Sequence, residues 1–233
     1  MKLKNIFFLL AVISIQLPIN AQDSLEKQET IQQLKILPLR DGAFDSFLSL
    51  MDINITESKK EDGVLNSLLY RQQSNTKTMV LFERFKNQES FEAHNDKVYA
   101  RSTNGIAPAA TAMRLETITL STIPEISIDI IQKNTVFPEN ASYSIYIVKN
   151  GNNTGFIQAA KQLVNEIRTQ EDNESISVFQ DSEDTNRFII FEQWATKDAL
   201  ASFERSSNFK QFNAITSPLL VSKNRELLQS ISE

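Results

Sequence analysis

The sequence predicts an α+β protein built from two similar domains, each a four-stranded sheet with helices on one face. Three observations predict it. First, one stretch occurs twice: residues 79–94 read MVLFERFKNQESFEAH and residues 188–203 read FIIFEQWATKDALASF. A shift of 109 positions places Phe82 on Phe191, Glu83 on Glu192, Phe85 on Trp194 and Phe91 on Leu200. A repeat of that length is a duplicated domain rather than a solenoid of short units. Second, the elements around each copy run strand, helix, hairpin, helix, strand, which is the ferredoxin-like plan. Third, in the hairpin strand Met79, Leu81, Glu83 and Phe85 share one face while Val80, Phe82 and Arg84 share the other. Both faces are apolar enough to be buried. A sheet covered by helices on one side must then bury its other side on something, and the twin sheet is at hand. The expectation is two ferredoxin-like domains packed sheet to sheet as a pseudo-dimer within one chain.

The chain opens with MKLKNIFFLLAVISIQLPINAQ. Two lysines, an apolar run from Ile6 to Ile15, a proline-containing break and a small residue at Ala21 make the three-part pattern of a secretory signal. Residues 1–21 are therefore expected to be removed and the mature protein exported, to the periplasm or beyond. The apolar run is too short to span a bilayer, so no membrane attachment is expected of the mature form. Loss of Lys2 and Lys4 takes the formal charge from −5 to −7. An acidic chain without a basic cluster is a poor ligand for nucleic acid or anionic lipid. The absence of cysteine excludes disulfides, thiol nucleophiles and thiolate metal sites. Stability must come from packed cores.

The first domain is expected over residues 28–121. In TIQQLKILPLR, Leu34, Ile36 and Pro38 alternate with Lys35, Leu37 and Leu39, giving a strand that ends near Pro38. Asp41-Gly42 turns the chain into a helix whose stripe is Phe44, Phe47, Leu48, Met51 and Ile55. SKKEDG closes that helix, with Gly63 read as its left-handed stop. Residues 64–73 and 76–85 form a hairpin, and Asn87 caps a second helix carrying Phe91, His94 and Val98 on one face. A loop holding Gly105 and Pro108 then leads to a closing strand over residues 113–120.

Residues 122–141 contain Pro124 and Pro138 and read as the connection, with an edge strand suggested by Ile126, Ile128 and Ile130. The second domain, residues 142–233, repeats the order. Its helical stripe is Phe156, Ala160, Leu163 and Ile167, its hairpin crosses DSEDTN, and Thr196 caps a helix bearing Leu200 and Phe203. After a break at SSN come Phe209 and Phe212. The pattern from Arg225 to Ile231 fits a strand or a helix equally.

A strand ending in Phe-Glu-x-aromatic, followed by a helix carrying Glu-Ala-His, resembles the antibiotic biosynthesis monooxygenase (ABM) family of dimeric α+β barrels. In that family the strand ends in an acidic residue and a tryptophan, with a histidine nine positions on. Phe85 and His94 keep the spacing in the first copy, and Trp194 and Phe203 keep it in the second. Neither copy has both the tryptophan and the histidine. The resemblance implies a pseudo-dimeric α+β barrel, a ligand pocket between sheet and helices, and oxidation of a small aromatic or quinol-type substrate by oxygen without metal or flavin. In the haem-degrading branch further residues ligate haem. This chain has Phe203 and Asn213 at the aligned helical positions, which gives haem no ligand.

His94 is the only histidine, and its imidazole is the one side chain suited by unperturbed pKa to take a phenolic proton. Tyr70 and Glu83 are candidate orienting partners, and with His94 form the candidate catalytic set. Phe85, Tyr99, Trp194 and Glu192 are candidate substrate-binding residues. Glu83 and Glu192 recur within apolar strands and should either pair with a cation, in the first copy Arg71 or Arg101, or have a raised pKa, with pairing favoured. Phe179 and Phe203 replace Tyr70 and His94 in the second copy, so catalysis is expected in the first domain only. The sequence offers no dedicated metal site and no Gly-rich nucleotide or flavin fingerprint. Three functions fit the pattern: a cofactor-independent monooxygenase, a non-catalytic binder of a small apolar ligand, and a structural or interaction module. Assembly of further copies into a homo-oligomer is compatible with all three.

Overall fold

A computed structural model of the chain describes residues 30–126 and 140–231. The signal segment, Ile128 and Ile130 lie outside the described residues. Domain 1 comprises β1 (Ile31–Pro38), α1 (Phe44–Ser58), β2 (Val64–Gln72), β3 (Thr78–Phe85), α2 (Gln88–Asn95), α3 (Val98–Ala110) and β4 (Glu116–Thr122). Domain 2 comprises β5 (Asn140–Val148), α4 (Asn153–Ile167), β6 (Asn173–Asp181), β7 (Arg187–Trp194), α5 (Lys197–Arg205), α6 (Ser207–Thr216) and β8 (Leu220–Ser230). The ambiguous last element is thus a strand. The 109-residue shift relates every element from β1 to α3 to its counterpart, down to a bulge in β2 between Val64 and Asn66 that recurs in β6 between Asn173 and Ser175.

The eight strands close into one antiparallel barrel in the order β1-β3-β2-β8-β5-β7-β6-β4. Each domain contributes the order last, first, third, second. The two seams are β2 with β8, where Tyr70 faces Ser230, and β4 with β6, where Leu120 faces Asp181. Among the described residues, closure leaves no sheet edge unpaired. Alternation then sorts the side chains. Leu34, Leu68, Val80 and Phe82 of domain 1 meet Tyr143, Ile189 and Phe191 of domain 2 inside the barrel. The twin residues Phe82 and Phe191 stack there at 4.6 Å with ring planes 7° apart. Two further cores lie outside the barrel. One packs Phe47, Met51 and Ile55 of α1 and Ala107 of α3 on Leu37, Met79 and Leu81. The other packs Phe156, Leu163 and Ile167 of α4 with Phe203, Phe209 and Phe212 on Phe188, Ile190 and Trp194.

Local chemistry explains most boundaries. The Asn87, Thr196 and Ser206 side chains accept hydrogen bonds from the backbone N–H groups of Ser90, Ala199 and Phe209, capping α2, α5 and α6. Gly42 and Gly151 have positive φ (77° and 82°) in the turns that follow the first strand of each domain.

Four local expectations are corrected. Gly63 is not a left-handed stop, because it lacks positive φ. It is small because α2 crosses it: a Cβ there would lie 2.5 Å from the Ser90 Cβ. Val98 does not continue the face of His94. It opens α3 after a break at Asp96–Lys97 and is 71% exposed. Gly105 and Pro108 lie within α3 rather than in a loop. Pro108 sits in the last turn, where its missing N–H costs one bond to Asn104, whose carbonyl is on the exposed side. The closing strand accordingly starts at Glu116, and Met113 is solvent-exposed.

Candidate active site in domain 1

On the outer face of the domain 1 sheet, beneath α1 and α3, lies a cavity of about 80 Å³. Leu37, Phe47, Met51, Leu81 and Ala107 make it apolar, while Lys35, Asn54, Glu83, His94 and Thr103 supply polar groups. Exposed Asn104 and Thr117 and half-buried Leu115 form its mouth. Leu115 and Thr117 also line a broader surface groove flanked by Arg40 and Arg114, so the buried end has an approach from solvent.

His94 is 3% exposed, and its ring is held by a hydrogen bond at one nitrogen. Its Nδ1 lies 2.8 Å from the Glu61 Oε1, which also accepts the Tyr99 hydroxyl at 2.8 Å. A carboxylate can only accept, so Nδ1 carries the proton and Nε2 is left as the basic nitrogen. Nε2 faces Glu83 Oε1 at 3.9 Å, too long for a hydrogen bond and wide enough to leave Nε2 free. Phe85 packs behind the imidazole at 5.1 Å and Phe91 packs edge-on against Phe85 at 5.2 Å, which fixes the ring by apolar contact. Burial and the Glu61 carboxylate push the Tyr99 phenol up, keeping it a donor to Glu61.

Glu83 is 1% exposed and is neutralised by Lys35, whose Nζ donates to its Oε2 at 2.8 Å. The expected partners Arg71 and Arg101 are elsewhere. Arg71 lies at the far end of β2, bonded to Gln229, and Arg101 is on the exposed side of α3. Lys35 is two residues beyond the register partner of Glu83 on β1 and therefore on the same face.

Tyr70 is also corrected as an orienting partner of His94. Its register partner on β3 is Val80, so it points into the barrel, across the sheet from His94. There its hydroxyl accepts from Gln193 Nε2 of domain 2 at 2.7 Å. Burial pushes its phenol up, the opposite of what a proton-exchanging group needs.

In domain 2, Trp194 is 1% exposed, stacked on Phe203 at 4.9 Å, with its indole N–H donating to Glu192 Oε2 at 3.2 Å. Phe203 in turn packs on Phe209 at 4.7 Å. Glu192 is paired with Arg225, whose Nη1 donates at 2.7 Å. Burial alone would lower the Arg225 pKa, but Glu192 reverses this and raises it, so the guanidinium stays charged. Trp194 and Glu192 are therefore buried in the domain 2 core, with packed side chains beside them. The structure brings together His94, Glu83, Phe85 and Tyr99, and leaves out Tyr70, Trp194 and Glu192. Sequence reading missed Glu61, Lys35 and Asn54. Lys35 was legible from strand parity, whereas Glu61 lies in an irregular turn that no periodicity reaches.

The sequence profile of the antibiotic biosynthesis monooxygenase family matches residues 34–104 and again 144–215. The chain belongs to the ABM family. Among solved structures it resembles a candidate monooxygenase of Fusobacterium nucleatum at 17% identity and a TM-score of 0.78, covering 88% of this chain and 94% of that one. A second candidate monooxygenase, from Lactobacillus acidophilus, gives 16% identity and a TM-score of 0.71 over 86% and 93% of the two chains. An anthrone oxidase-like protein gives 9% identity and a TM-score of 0.63 over 88% and 92%. At these identities the likeness concerns the fold, a tandem ABM barrel. No curated protein matches the chain.

Proposed function

We propose that the domain 1 cavity of this ABM protein is a cofactor-independent monooxygenase site for a small electron-rich phenol or quinol. The observation that carries the reading is the placement of His94, with Nδ1 fixed on Glu61 and Nε2 free beside Glu83 at the buried end of the cavity. Nε2 takes the phenolic proton, and the imidazolium that forms lies between two carboxylates. The phenolate passes one electron to oxygen. The two radicals recombine at a ring carbon that bears hydrogen, the imidazolium returns its proton to the peroxide, and loss of water with that ring hydrogen leaves one oxygen atom in the quinone product and the other in water. The protein contributes a base at the right place and a mostly apolar wall that limits water. Membership of the family supports the reaction class.

Oxygen uptake with a panel of single-ring quinols tests it. Wild-type turnover should fall on the order of a hundredfold or more in His94→Ala, the usual cost of losing a general base. A folded His94→Ala protein that consumes oxygen at the wild-type rate would remove the assignment. Ligand binding without oxygen uptake by the wild type would make the protein a carrier that uses the same cavity.

The reading includes export, supported by the tripartite N-terminal pattern ending at Ala21. N-terminal sequencing of the protein from the cell envelope or medium should give a first residue near Gln22. An intact Met1 in the cytoplasmic fraction would exclude it.

A further inference from the structure

The domain 1 cavity contains a polar group that the proton-transfer scheme does not use. Asn54, on α1, is 3% exposed and lines the cavity, yet its side-chain oxygen accepts no hydrogen bond from the protein. A buried acceptor without a donor costs folding free energy, so its presence calls for an explanation. Packing does not supply one. The 109-residue shift places Asn54 on Leu163, which is 2% exposed and belongs to the apolar stripe of α4. The same helix position in the twin domain is therefore filled by leucine.

No neighbouring donor reaches the Asn54 oxygen, and the hydrogen bonds of the nearby polar groups run elsewhere. The Thr103 hydroxyl donates to the Ala100 carbonyl at 2.9 Å, and Lys35 Nζ donates to Glu83. Asn104 Nδ2 donates to Asn95 Oδ1 at 3.2 Å. A hydroxyl entering the cavity would supply Asn54 with the donor that the protein does not bring to it. Asn54, on α1, and His94, on α2, line the same cavity, which puts both within the surroundings of one small ligand. At about 80 Å³ the buried end is smaller than the cavity of about 150 Å³ known to take up benzene, and it admits the edge of one ring while the rest lies at the mouth.

We propose that Asn54 is a specificity-determining residue that accepts a hydrogen bond from a second hydroxyl of the ligand, so that the site selects a single aromatic ring with two hydroxyls on one edge. This rests on the His94 cavity being the ligand site. A ring with one hydroxyl and one ether leaves Asn54 unpaired. Sites built to bond a hydroxyl discriminate against the analogue that lacks it for that reason.

The test is anaerobic calorimetric binding of catechol against 2-methoxyphenol, and of resorcinol against 3-methoxyphenol. Wild type should prefer at least one diol over its ether by roughly tenfold or more. Asn54→Leu, the residue of the twin domain, should reduce that preference to roughly twofold or less while melting at or above the wild-type temperature, since an orphaned acceptor has been removed. Asn54→Met serves if the leucine variant does not fold. A preference that survives in these variants, or is absent from the wild type, overturns the inference. If His94→Ala abolishes oxygen uptake while Asn54→Leu keeps the preference, the inference alone fails. A wild type that binds neither diol and consumes no oxygen removes the ligand site itself.

Discussion

Domains 1 and 2 share one backbone plan and differ in what stands between sheet and helices. Where domain 1 has Asn54, Phe85, His94, Ala100 and Thr103, the 109-residue shift gives Leu163, Trp194, Phe203, Phe209 and Phe212 in domain 2. Four of these exchanges, all but Phe85 for Trp194, put a hydrocarbon side chain where domain 1 has a polar or small one. The result is a cavity on one side and a stacked aromatic cluster on the other. What both domains keep is the buried glutamate, Glu83 or Glu192, and a cation for it. The source of that cation changes. Domain 1 supplies Lys35 from its first strand and has Thr117 opposite on its last strand. Domain 2 has Ser144 on its first strand and Arg225 opposite on its last. A duplicated fold thus preserves charge balance at a buried carboxylate while leaving the position of the partner free. A cavity, by contrast, is lost by adding a few aromatic rings.

The comparison is broken most directly at Trp194. Trp194→Ala removes a fully buried indole from the domain 2 cluster and should cost about 3–5 kcal/mol of stability. Because the residue touches no cavity of domain 1, oxygen uptake measured well below the lowered melting temperature should be unchanged. A loss of turnover in a folded Trp194→Ala protein would mean that domain 2 takes part in the site, and the contrast between a working and a filled half would not stand.

A smaller effect sharpens the charge argument. Lys35→Ser leaves Glu83 buried without its cation and should cost about 3 kcal/mol, the lower end for breaking buried pairs because Lys35 is partly exposed. Adding Thr117→Arg recreates the arrangement of domain 2, in which the last strand carries the cation, and should recover most of that loss. Chemical denaturation of the single and double variants measures the coupling. If Thr117→Arg destabilises the protein equally with and without Lys35, the two strands are not interchangeable sources of charge.

Much of this organisation was legible in the sequence, and the parts that were not share a cause. Periodicity located the strands and the stripes of α1 and α4, because one buried face imposes a repeat of 2.0 or 3.6 residues. The same parity already placed Tyr70 on the barrel side: it pairs with Val80, whereas Glu83 belongs with Met79 and Leu81. What put Tyr70 beside His94 was the comparison of domain copies, which shows where residues differ but not which side of a sheet they face. Glu61 was out of reach because its contact with His94 bridges 33 residues from an irregular turn. The run Val98–Ala110 was hidden because Gly105 and Pro108 are loop signals locally, overridden by packing of Thr103, Ala107 and Ala110 against the neighbouring elements.

The mildest test concerns the turn that positions the base. Gly63 ends the segment after α1, and its backbone carbonyl accepts from the Lys86 N–H, pinning it to the start of the α2 region. Ser90, in the first turn of α2, packs so closely over it that an added Cβ would lie 2.5 Å from the Ser90 Cβ and 2.6 Å from its Oγ. Domain 2 has Asp172 at the position equivalent to Gly63 and Ala199 opposite it, so close passage of helix over glycine belongs to domain 1 alone. Gly63→Ala should therefore push α2 outward, costing about 1–3 kcal/mol as overpacking does. His94 rides on α2 one turn further on, so its contact with Glu61 should lengthen and oxygen uptake should fall with stability. Ser90→Gly in the same chain removes the obstructing atoms and should restore turnover, while adding about 1 kcal/mol of helix cost of its own. Recovery of activity without full recovery of stability would assign the loss to displacement of His94. A Gly63→Ala protein as active and as stable as wild type would mean that α2 is not held where the geometry places it.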